Sequence, residues 1–108
     1  RHRTFPFHHR NSEGVRGLKP VWTSDGYVLF WKAPRGSDWK QEARQYVVYR
    51  FAKGEKINTD DASHIVAVTP RTYLKLSYNG GLQKYTYVVT ALNRLQNESK
   101  ARKKNVRL

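Results

Sequence analysis

The chain has no cysteine, no methionine and only eight acidic residues against 21 lysines and arginines. It also lacks any apolar run near the roughly 18 residues that a membrane helix needs. The missing cysteines exclude a disulfide framework and any thiolate metal site, but leave the compartment open. Because the chain begins with Arg1 rather than Met, it reads as an excised piece of a longer protein. The lack of a signal peptide therefore carries no information. No stretch shows the 3.6-residue spacing of an amphipathic helix, and no internal repeat or low-complexity tract occurs. At 108 residues the chain suffices for one domain with its own core.

What is present is charge and a period of two. The net charge of +13 promotes contact with polyanions through counterion release. The basic residues are scattered rather than gathered on one helix or groove, so nucleic acid is not an expected partner and the charge first reads as a solvated surface. The clearest strand is Lys84 to Asn93. Tyr85, Tyr87, Val89 and Ala91 alternate onto one side of it, and Thr86, Val88, Thr90 and Leu92 onto the other. The first side should face a core.

Other segments read the same way. Residues 1–17 have no period and read as a leader from a preceding domain, with Phe5 and Phe7 able to pin it to a surface. His2, His8 and His9 lack carboxylate or thiolate company at ligand spacing, so no metal site is expected. Leu18 to Thr23 is a strand with Pro20 in it, which argues for an edge position. Asp25-Gly26 marks a hairpin before Tyr27 to Ala33, where Trp31 is expected at the centre of the core. Trp39 lies in a polar loop. Gln45 to Phe51 follows, with Tyr46 and Val48 inward and Val47, Tyr49 and Phe51 outward. A short helical turn near residues 58–63 would be capped by Asn58 or Thr59. The Asp60-Asp61 pair lacks the Gly and closing Glu of a calcium loop and reads as a turn. Ile65 to Val68, Thr72 to Leu76 and a last strand reaching Val106 and Leu108 complete a seven-stranded antiparallel β-sandwich.

Trp31 in the second strand, Tyr46-x-Val48 in the third and Tyr85-x-Tyr87-x-Val89-x-Ala91 in the sixth resemble a fibronectin type III domain over residues 18–108, an immunoglobulin-like sandwich. That resemblance puts Tyr85 at a tyrosine corner, its hydroxyl bonding to backbone just upstream. Asn79-Gly80-Gly81-Leu82 departs from the Leu-x-Pro-x-Thr run that usually precedes this tyrosine. The phrases at 25–31, 46–51 and 87–99 are similar to the accessory domain that follows the catalytic barrel in Bacteroides-type secreted glycosyl-hydrolase-10-like proteins, apart from Asn93 where Asp is usual. The resemblance implies an extracytoplasmic, non-catalytic domain that meets the catalytic domain of its own chain and is monomeric as a fragment.

The residues themselves offer no catalytic constellation and imply no cofactor. The acids are dispersed, apart from the adjacent Asp60 and Asp61, and mostly lie in turns, whereas glycoside hydrolysis needs two carboxylates across one cleft, about 5–10 Å apart. Asn97-Glu98-Ser99 reads as loop chemistry, with Glu98 pairing a nearby cation. Three candidate surfaces remain. Val47, Tyr49, Phe51, Val88 and Leu92 should form an apolar patch on the outer face of one sheet, a domain-docking surface or one partly covered by the leader through Phe5 and Phe7, and the two readings are compatible. Trp39 with Tyr73 or Tyr78 could stack on the sugars of a polysaccharide, although the same rings cap a sandwich equally well. Lys100, Arg102, Lys103, Lys104 and Arg107 form a basic last strand suited to a polyanion, or to guarding a sheet edge. The expected core is Trp31, Tyr46, Val48, Tyr85, Tyr87 and Val89.

Overall fold

The computed structural model describes residues 14–34, 43–93 and 98–108. Seven strands occur among them: β1 (Arg16–Thr23), β2 (Gly26–Lys32), β3 (Ala43–Ala52), β4 (Ile65–Thr69), β5 (Tyr73–Lys75), β6 (Lys84–Asn93) and β7 (Arg102–Arg107). They form two antiparallel sheets, one ordered β1-β2-β5 and the other β4-β3-β6-β7. The fold is an all-β sandwich whose sheets bury their alternating apolar faces against each other.

Local chemistry explains most element boundaries. The β1–β2 hairpin turns through Ser24 and Asp25, and Gly26 opens β2 at φ +113°, a conformation costly to any residue with a Cβ. Thr23 locks the turn: its hydroxyl accepts from the Asp25 amide at 3.1 Å and donates to the Gly26 carbonyl at 3.0 Å. Pro20 sits in β1, which is an edge strand, so its missing donor leaves no ladder bond broken between strands on both sides. β1 begins at Arg16 rather than Leu18, and Val15 is 1% exposed within the core. The end of the apparent leader therefore belongs to the domain. Gly14 explains how it gets there, since a Cβ at that position would lie 2.7 Å from the Lys100 carbonyl oxygen. The helical turn is a 3-10 turn at Ala62–His64, and its cap is Asp61, not Asn58 or Thr59. The Asp61 carboxylate accepts from the Ser63 amide at 3.0 Å, while Asn58 closes an Asx turn onto the Asp60 amide.

The inner core holds Leu29, Trp31, Tyr46, Val48, Tyr87, Val89, Ala91, Val106 and Leu108, with Tyr85 half-buried at its margin. Trp31 is 3% exposed and meets Tyr46 edge-on at 5.7 Å between ring centroids. Its Nε1–H is buried with no hydrogen-bond partner among the described residues. Burial also raises the Tyr46 and Tyr87 hydroxyls above their ordinary titration range; at Tyr87 the Arg50 guanidinium partly opposes the rise. Tyr85 departs from the tyrosine-corner expectation. Among the described residues its hydroxyl makes no hydrogen bond; the Arg50 guanidinium instead lies 4.7 Å above the ring.

Candidate functional site

The four-stranded sheet is apolar on both faces. β3 and β6 pair along almost their whole length, from Ala43↔Asn93 to Ala52↔Tyr85. Side-chain alternation then sends Val47, Tyr49 and Phe51 to the same outer face as Val88 and Leu92, as the sequence predicts. The expected exposure of that face does not follow. Val47, Tyr49, Phe51 and Val88 are 5%, 3%, 0% and 0% exposed within this chain, and form a second hydrophobic cluster with Ile65 and Leu92 packed against it.

Part of the cover comes from polar groups that the hydrophobic pattern does not reveal. The His64 ring stacks on Phe51 at 4.5 Å between centroids, 20° from parallel. His64 Nε2 donates to the Glu55 carboxylate at 2.7 Å, and its Nδ1 lies 3.3 Å from Asp61. The Glu55 bond holds the imidazole above its ordinary pKa of 6.5 and Glu55 below the usual carboxylate range. Asp61 is lowered chiefly by the Ser63 hydroxyl. On the far side of the cluster, Glu98 accepts from the Tyr49 hydroxyl at 2.6 Å and from the Thr90 hydroxyl at 2.7 Å. Thr90 is 2% exposed, so its hydroxyl requires such a partner. A bridge between Leu92 and Glu98, with Ser99 bonded both ways to Ala91, carries the chain back to β6 and places that carboxylate.

What stays open on this sheet is its β4 margin, where Val66 and Val68 are 44% and 51% exposed. β4 is also the uncharged edge. β1 carries Arg16 and Lys19, β5 carries Lys75, and β7 carries Arg102, Lys103, Lys104 and Arg107, whereas β4 reads Ile-Val-Ala-Val-Thr.

The aromatic candidates do not form one platform. Tyr73 tilts against Phe30 at 6.1 Å, whereas Tyr78 meets Trp22 and Tyr27 at 4.9 and 5.6 Å. Trp39 lies outside the described residues, as do Phe5, Phe7, His2, His8 and His9. Trp22, within the strand read at Leu18 to Thr23, is 60% exposed, a solvent-facing tryptophan that strand alternation alone does not mark. The basic residues of β7 split by alternation. Lys103 and Arg107 share the outer face with Asn105, while Arg102 and Lys104 share the other side with Val106. No group of three or more His, Asp or Glu residues able to hold a metal ion occurs among the described residues, nor does any helix long and apolar enough to cross a membrane. Compared with known proteins, the chain matches no family model and no curated protein.

Proposed function

We propose that this chain is a non-catalytic interaction domain of the fibronectin type III kind, part of a larger extracytoplasmic bacterial protein resembling a glycoside hydrolase, and that it packs against the catalytic domain of that protein. Two features support the fold-family reading. The third and sixth strands are neighbours, as the resemblance requires, and Trp31, Tyr46, Val48, Tyr87 and Val89 meet in one core. The observation that carries the docking reading is the β4 margin. In a chain of net charge +13, three of four edge strands carry the cations that discourage strand-to-strand association, and the fourth is uncharged, with Val66 and Val68 in solvent. Beside them on the same face, Val47, Tyr49, Phe51, Val88 and Leu92 form an apolar layer that is already covered within this chain, so the open apolar surface is the β4 margin itself.

The test replaces Val66 and Val68 with Lys. In the isolated chain the change falls on exposed side chains and should shift stability by no more than about 0.5 kcal/mol per site. In the intact parent it should loosen the domain, read as new protease cleavage in the segment before Gly14. A parent that stays equally resistant, or turnover of a glycan by the purified isolated chain, overturns the reading.

A further inference from the structure

We propose that the β6–β7 margin, across the outer face from β4, is a binding track for an acidic polysaccharide, one bearing carboxylate or sulfate groups. The inference rests on features of β7 and not on the docking reading. Lys84 and Arg107 stand directly opposite each other across the two strands. Like charges at opposed positions destabilise a sheet. Here the pair is reinforced by Lys53, which lines the same cavity of about 270 Å³. A second cavity of about 310 Å³ follows along the same strands, lined by Thr86, Asn105, Lys103 and Lys104. None of these five cations is ion-paired among the described residues, and no acid lines either cavity.

The outer-face rungs run Lys84–Arg107, Thr86–Asn105, Val88–Lys103. Cations therefore sit at both ends of a neutral step, with Arg107 and Lys103 about 13 Å apart along the strand. That step is a hydrogen-bonding floor, in which the Thr86 hydroxyl donates to the Asn105 carbonyl at 2.9 Å and leaves the amide N–H groups available. Separated anion sites over a hydroxyl- and amide-bearing floor fit a chain of sugar rings with intermittent acid groups. Single-stranded nucleic acid is the poorer fit because its recognition relies on open aromatic faces for the bases. Tyr85 is the one aromatic lining either cavity, and the Arg50 guanidinium lies over its ring.

The experiment measures binding of the full 108-residue chain to polygalacturonate, to heparin and to a single-stranded DNA oligomer, each across a salt series. Polygalacturonate and heparin separate carboxylate from sulfate recognition, and binding of either tighter than that of the DNA supports the track. Asn105→Asp keeps the oxygen that Thr86 donates to while setting a negative charge between the cations; it should weaken glycan binding about tenfold. The double variant Lys84→Gln, Arg107→Gln should do the same and lower the salt dependence by about two powers. Lys19→Gln with Lys75→Gln removes the same charge from the other sheet and should change affinity less than about twofold. Equal losses in the two double variants, DNA binding as tight as glycan binding, or no glycan binding even at low salt each overturn the proposal. If the Lys84, Arg107 variant fails to fold, Asn105→Asp decides alone.

Discussion

Replacing Phe51 with Ala tests whether the outer layer of the large sheet belongs to the fold. The side chain is 0% exposed, faces away from the inner core and lies beneath the His64 ring at 4.5 Å. A buried aromatic hides about 150–250 Å². At about 25 cal/mol per Å² that corresponds to roughly 4–6 kcal/mol as an upper bound. Measured Phe→Ala losses of about 3–5 kcal/mol agree, and since the cover here is partly polar the lower end applies. For a domain of this size each kcal/mol moves Tm by about 4–8 °C, so the midpoint should fall by about 12–24 °C. The measurement is thermal unfolding of the isolated chain by far-UV circular dichroism at pH 7. Were the outer face buried only against another domain, the variant would melt with the wild type. A drop smaller than about 3 °C, which is under ~1 kcal/mol, would refute the assignment of this layer to the isolated fold.

Trp31→Ala should cost about 3–5 kcal/mol through the cavity it leaves between the sheets. With a urea slope of about 1–3 kcal/mol per M, the unfolding midpoint should fall by about 1 M or more, and a smaller shift would remove Trp31 from the centre of the core. The Glu55–His64–Asp61 group should make stability depend on pH. His64 titrates above 6.5 in the folded chain, so its contribution is complete below 6.5 and is lost as pH rises through the raised value. Glu55 and Asp61 titrate below 4.5 and 3.8, so theirs is complete above those values and is lost as pH falls through the lowered ones. The Tm difference between wild type and His64→Gln should therefore be largest from about pH 4.5 to 6.5 and shrink on both sides. A difference that does not vary with pH would mean that His64 acts only by stacking on Phe51.

Much of the fold is legible because a strand's side chains alternate and turn residues leave local marks. All seven strands lie where period two and the Gly and Pro positions place them, and each expected inward residue other than half-buried Tyr85 is buried in the inner core. Period two encodes which face a side chain occupies, however, and not what covers that face. Val47, Tyr49, Phe51 and Val88 are outward, as read, and buried all the same; part of the cover is His64 on Phe51 and Glu98 at Tyr49, two titratable residues that the hydrophobic pattern marks as solvent-facing. Local pattern does not single out the cap of the 3-10 turn either. Asn58, Thr59 and Asp61 are all competent caps, and the choice falls to Asp61 because the turn starts at Ala62. Lys53 and Lys84 were invisible as partners of β7, since nothing local in the sequence says that Lys84 faces Arg107.

The two margins of the large sheet explain why the charge is laid out as it is. Crossing the outer face from β4 to β7 covers three strand spacings, about 14 Å, and takes the surface from Val66 and Val68 to Lys103, Lys84 and Arg107. A basic surface serving solubility alone would spread its cations over every edge, the free β4 edge most of all, because an uncharged edge is where strands of neighbouring molecules add. Instead β4 has none and β7 has four. The cost of that layout is paid twice, as an uncharged edge on one side and as opposed like charges on the other. Each cost disappears when its own margin is covered, the first by an apolar neighbour and the second by an anion. The proposed docking and glycan-binding surfaces thus lie at opposite margins of one face, with the buried layer of Val47, Tyr49, Phe51 and Val88 between them.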